Sequence, residues 1–140
     1  MPVRLTLVCA AMITLCAGSV ALAAAPATAL NYEFFKAKVQ PIFLEKRAGH
    51  ARCVVCHGGA NNALHLAPLP PGGQWSEDDT KNNFAAVSGL VNRADPANSR
   101  LLIHPLAPEA GGDMFHSGGR QFASKDDPDW KILSQFAGVN

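Results

Sequence analysis

Apolar positions along this chain change period from one stretch to the next. Residues 5–23 are apolar without a charge or a polar face, the pattern of a segment read by an export machinery or a membrane rather than of an amphipathic core element. Behind Asn31 the pattern becomes helical. Phe34, Phe35, Val39, Ile42 and Phe43 recur at three- and four-residue spacing, which predicts an amphipathic helix with Asn31 as its cap. Pro41 falls inside that run and lacks the backbone donor a helix interior needs. A kink or two short helices is expected, with Pro41 in a first turn and Gly49 as the stop.

Further on, Ser76-Glu77-Asp78-Asp79 reads as a capping box with Asp79 where Glu is commoner. It opens a helix to about Val91, with Phe84, Val87 and Leu90 or Val91 turned inward. Asp95-Pro96 predicts a turn, and residues 99–103 one or two helical turns. Asp127-Pro128 supplies a cap followed by proline at the first helical position, and Trp130, Leu133 and Phe136 share one face of the helix that follows. Between these elements Gly58, Gly59, Pro68, Pro70, Pro71, Gly72 and Gly73 interrupt any regular structure. The expected fold class is all-α, a few helices joined by long irregular loops.

Arg4 ahead of the apolar run and Ala21-Leu22-Ala23-Ala24-Ala25 behind it make residues 1–25 a signal peptide. Cleavage is expected near residues 23–25, with Ala27 and Ala29 offering further small residues. The run is long for a cleaved signal, so an uncleaved membrane anchor is the alternative. Cys16 is not read as a lipid site, since Leu15 stands where a small residue is wanted. Residues 26–30 form a short tail and residues 31–140 one domain. An exported, periplasmic protein is expected, membrane-associated only if the N-terminal segment is retained. The chain carries 12 Lys and Arg against 11 Asp and Glu, and loss of Arg4 with the signal makes the two equal. That balance excludes the basic footprint of a nucleic-acid binder and any strong field for steering one charged partner.

Cys53-Val54-Val55-Cys56-His57 carries the chemistry. C-x-x-C-H is the attachment signature of a covalent c-type haem: two thiols three positions apart each reach one vinyl group, and His57 becomes the proximal ligand of the iron. The same residues could be half of a zinc site, but no second Cys pair follows, and His50, His65, His104 and His116 show no close pair spacing. A redox dithiol expects a βαβ context, whereas the flanks here are helical and loop-like. One haem c is therefore the expected cofactor, and zinc is not. Of the four Cys, Cys9 and Cys16 lie in the signal, leaving Cys53 and Cys56 for the haem alone. Such haem is attached after export, so signal and motif support each other.

A six-coordinate haem needs a ligand opposite His57. Met1 and Met12 lie in the signal, so a His/Met pair requires Met114. A bis-His pair has His116 two residues further on. Both sit between Gly111-Gly112 and Gly118-Gly119, whose freedom allows close approach to a flat cofactor. His104, before Pro105, is read as capping or packing. His50 and His65 are exposed or propionate-facing, and Arg52 and Arg120 either pair with propionates or are solvated.

These residues resemble the monohaem c-type cytochromes of the cytochrome c superfamily. Phe43 ahead of the haem motif, the trailing Gly58-Gly59, Asp95-Pro96-Ala97-Asn98-Ser99 before Leu101-Leu102, and His116-Ser117-Gly118-Gly119 followed by Asp126-Asp127-Pro128 are similar to haem domains common in planctomycete and acidobacterial periplasmic proteins. The likeness runs from residue 32 to the end of the chain. It implies a cytochrome c-like fold around one covalent haem, and His116 as distal ligand with Met114 as runner-up. It further implies an electron carrier rather than an enzyme, passing single electrons between other redox proteins. The alternatives are a haem subunit of a membrane-bound respiratory or photosynthetic complex, favoured by a retained anchor, and a haem sensor or peroxidase-like protein. The last would need an open distal site with His104 or His116 as its acid-base group.

Overall fold

The structure, a computed structural model, describes residues 29–139. The signal peptide or anchor expected at residues 1–25 lies outside the described residues. Among those residues all the regular elements are helical, joined by loops that carry two isolated β-bridges, Gly58 with Leu66 and Leu106 with Phe122. The all-α expectation holds at that level. No helix among the described residues is long and apolar enough to cross a membrane.

The first helical run starts at Asn31, whose Oδ1 accepts from the Phe34 N–H at 2.9 Å. It comprises α1 (Tyr32–Phe34), a wide π-type turn (Phe35–Val39) and α2 (Gln40–Ile42). Across the wide turn the Gln40 N–H reaches the Phe35 carbonyl, five residues back. Pro41 explains the widening: its ring crowds the carbonyl four residues before it and it donates nothing, so the turn opens rather than the helix breaking. The run stops at Ile42, well short of Gly49, which instead turns the connecting loop at φ +77°.

α3 (Cys53–His57) is little more than one turn. α4 (Glu77–Ser88) carries the expected reciprocal cap: Ser76 Oγ accepts from the Asp79 N–H at 3.1 Å, and Asp79 Oδ2 accepts from the Ser76 N–H at 3.1 Å. It ends at Ser88, before Val91. A 3-10 turn (Pro96–Asn98) leads to α5 (Arg100–Ile103). Ser99 between them is fully buried, and its Oγ accepts from Asn92 N–H at 3.0 Å and donates to the Pro96 carbonyl at 2.6 Å. α6 (Pro128–Ala137) is capped by Asp127 Oδ1, which accepts from the Asp129 and Trp130 N–H groups. Gly138 closes it at φ +91°, a conformation glycine adopts without strain.

One core joins these pieces. Phe35 of the wide turn packs its ring against Phe84 at 5.4 Å and Phe136 at 5.7 Å, tying the first helix to α4 and α6. Leu101, Leu102, Leu133, Leu106 and Phe122 complete it, and Trp130 Nε1 donates to the Leu102 carbonyl at 3.2 Å. Arg47 braces the connection behind α2 against α6. Its guanidinium bonds Asp127 and Asp129 and lies 4.7 Å over the Phe122 ring, so three charges leave water together and satisfy one another.

Candidate functional site

α3 places Cys53, Cys56 and His57 at i, i+3 and i+4, which share one helical face. Val54 faces the other way and is buried, while Val55 is exposed. The Val54 N–H donates to the Phe43 carbonyl at 3.1 Å, hanging α3 from the end of the first helical run. Gly58 must follow: a Cβ there would stand 2.7 Å from the Val54 carbonyl oxygen. The loop then doubles back. Leu66 N–H donates to the His57 carbonyl at 3.0 Å, Gly59 N–H to the Leu66 carbonyl at 2.8 Å, and the Leu66 side chain is wholly buried. Buried Asn83 of α4 accepts from Ala67 N–H at 2.7 Å, and Trp75 Nε1 donates to the Ala67 carbonyl at 3.0 Å.

That return loop decides the state of His57. Its Nδ1 lies 3.0 Å from the Leu64 carbonyl and 2.9 Å from Asn62 Oδ1, both acceptors, so the proton sits on Nδ1. Asn62 is oriented by its own donation to the Cys56 carbonyl at 3.1 Å. Nε2 is left with a lone pair, the arrangement that prepares a histidine to ligate a metal.

Across a cavity of about 330 Å³ stands His116. Its ring centre is 6.2 Å from that of His57 and the two planes are within 8° of parallel. His116 Nδ1 donates to the Gly119 carbonyl at 2.6 Å, so this ring too keeps Nε2 free of a proton. Burial, the main cause, holds the His116 pKa below its usual value and keeps the ring neutral. His104 meets the same ring edge-on, centres 4.9 Å apart at 75°, and its Nδ1 is 2.8 Å from Asp113 Oδ2. Cys53, Cys56 and His57 line one side of the cavity, Ile42, Phe43, Leu101 and Leu133 supply apolar lining, and Arg52 and Arg100 also border it. Burial pushes the Cys53 thiol up, so it rests protonated.

The ring spacing has a chemical meaning. A ligating imidazole nitrogen lies about 2 Å from its metal and the ring centre about 1 Å beyond, so two rings on opposite sides of one ion have centres about 6 Å apart. Among the described residues no three His, Cys, Asp or Glu side chains converge on one point. An ion held between His57 and His116 would therefore take its other donors from a bound group, and the two nearby thiols are suited to anchoring it.

Sequence-expected residues divide cleanly. Cys53, Cys56, His57, His116, His104 and Arg52 all border this cavity. Met114 does not: it is 79% exposed, its neighbour Phe115 84%. Arg120 pairs with Glu109 at 3.0 Å, and His50 and Arg120 border a different surface hollow. His65 is exposed and bonds the Ala60 carbonyl. The glycines before Met114 also serve another purpose than expected. A Cβ on Gly112 would fall 1.9 Å from the Leu106 carbonyl oxygen, so its close approach is to the protein's own backbone. Sequence reading missed Arg100, Asn62, Leu64 and Gln121. Only Asn62 and Leu64 left a signal, being near enough to His57 to supply the Nδ1 acceptor that a ligating histidine requires. Comparison with protein-family models, with curated proteins and with solved structures finds no match.

Proposed function

We propose that this protein is an exported monohaem c-type cytochrome, with a cytochrome c-like fold, that carries single electrons between redox partners. One observation carries the reading: two parallel imidazoles stand 6.2 Å apart across a cavity whose wall includes both cysteines of the C-x-x-C-H motif. Cys53 and Cys56 would hold haem c through thioether bonds, and His57 and His116 would ligate its iron. The haem, when bound, supplies the one-electron couple, at a lower potential than a His/Met pair would give.

The chain's own residues do the rest. The Leu64 and Gly119 carbonyls keep each imidazole proton on Nδ1. Ile42, Phe43, Leu101 and Leu133 would present apolar side chains to the haem, and Arg52 and Arg100, also in the lining, would offer cations to its carboxylates. His116 rather than Met114 completes the pair, since Met114 lies outside the cavity lining and turns to solvent.

Expression in a host that attaches haem c is the test. The mature chain should gain the mass of one haem, and Cys53→Ala/Cys56→Ala should lose it. Ferric and ferrous absorption spectra should be low-spin, unchanged in Met114→Ala and high-spin in His116→Ala. A wild-type chain without covalent haem defeats the proposal, as does a high-spin ferrous form that binds carbon monoxide readily.

A further inference from the structure

His116 is held on more sides than its role as a ligand requires. The Nδ1 hydrogen bond to the Gly119 carbonyl already restricts the turning of a ligating ring, and two further neighbours pack around this one. On one side lies the Gly118 turn, where a Cβ would come within 3.1 Å of His116 Cε1, and Gln121 Nε2 holds that turn by donating to the Gly118 carbonyl at 3.1 Å. Against the ring stands His104, with ring centres 4.9 Å apart and planes at 75°. His104 is itself braced by Asp113, and Asp113 is tied at two further points. Its N–H donates to the Ile103 carbonyl at 2.8 Å, and its Oδ1 accepts from the Phe115 N–H at 2.8 Å.

We propose that His104 and Asp113 are positioning residues which set the plane of the His116 ring and hold it parallel to His57. The inference rests on the haem reading above and goes beyond it, since ligation by His116 does not itself require His104 or Asp113. The angle matters electronically. Parallel imidazoles on a ferric low-spin iron split its orbitals into a rhombic pattern, whereas crossed rings make them nearly degenerate and strongly anisotropic. Neighbours of a ligand tune the metal by fixing the ligand's orientation.

Electron paramagnetic resonance of the ferric holoprotein reads that angle directly. Wild type should give a rhombic low-spin signal with three resolved g values. His104→Ala should move the largest g value upward, toward the single-feature signal of crossed rings. His104→Phe keeps an aromatic edge at the same place and should return the signal toward wild type. Asp113→Asn, whose single amide oxygen can accept from His104 only by giving up the Phe115 N–H, should shift it less than His104→Ala. A wild-type signal in His104→Ala overturns the proposal, and so does His104→Phe behaving like His104→Ala. If His104→Ala accumulates no holoprotein, the same comparison is made between His104→Phe and Asp113→Ala, and wild-type signals in both overturn it. Failure of the underlying reading looks different, because His116→Ala would then stay low-spin or wild type would carry no haem.

Discussion

The two walls of the cavity are built from different materials. On the His57 side a single helical turn is tied to the core: Val54 and Leu66 are buried, Asn83 reaches the loop from α4, and main-chain bonds run from Phe43 to Val54 and from Leu66 to His57. On the His116 side the chain is a loop without regular helix between Gly111 and Pro128, held near the ring by polar contacts from Asp113, Gly119 and Gln121. On the proposed reading, covalent haem attachment would need two thiols at fixed spacing, which a core-anchored helix provides. A distal ligand would need an orientation, which local hydrogen bonds can adjust without disturbing the core. Stability should therefore concentrate on the first wall and ligand geometry on the second.

Substitutions of decreasing expected effect test that division. Leu66→Ala empties a fully buried site and should cost about 2–5 kcal/mol, read as a lower denaturation midpoint. It should also weaken the hold on His57. Asn83→Ala leaves the Ala67 N–H without its partner and should cost about 1–3 kcal/mol in the same experiment. If either substitution leaves the midpoint in place, the core does not anchor the first wall.

Acid titration probes the second wall. The Phe115 N–H, and after it His104, hold the Asp113 carboxyl below its ordinary value. The folded state thus binds fewer protons than the unfolded one as pH falls below about 4, and stability drops through that window. Above it the contribution is fully present. Asp113→Asn should flatten the acid limb of denaturation curves measured from neutral pH downward, and an unaltered limb would show that the contact carries no stability. Met114→Ala and Phe115→Ala stand last. Both side chains are mostly in solvent, and each change should stay within about 0.5 kcal/mol by chemical denaturation. A larger loss would mean that the loop is held by its apolar residues after all.

Much of the local structure was legible. Asn31, the Ser76–Asp79 box and Asp127-Pro128 start helices where their side chains can reach free N–H groups two or three residues away, a distance set by the chain itself. Cys53, Cys56, His57 and His116, each prominent in the sequence, also border one cavity. The wide turn at Phe35–Val39 was only half legible: Pro41 announces a disturbance, but whether the helix breaks or opens depends on the packing of Phe35 and Val39. Arg100 gave no signal, because its place at the cavity comes from where α5 packs.

Residue order alone decided the helix starts, the shared face of Cys53, Cys56 and His57, and the presence of His116 and Met114 in one glycine-flanked loop. These depend on bonds and spacings within a few residues. Tertiary structure alone decided which of those two side chains faces inward. The choice follows from Gly112 seated on the Leu106 carbonyl, Asp113 bonded to the Ile103 carbonyl and His104, and the loop's return to Pro105 through the Gln121 N–H at 2.9 Å. The return loop behind His57 is of the same kind. Its register comes from burying Leu66 and satisfying Asn83, and those energies exist only once distant segments have met.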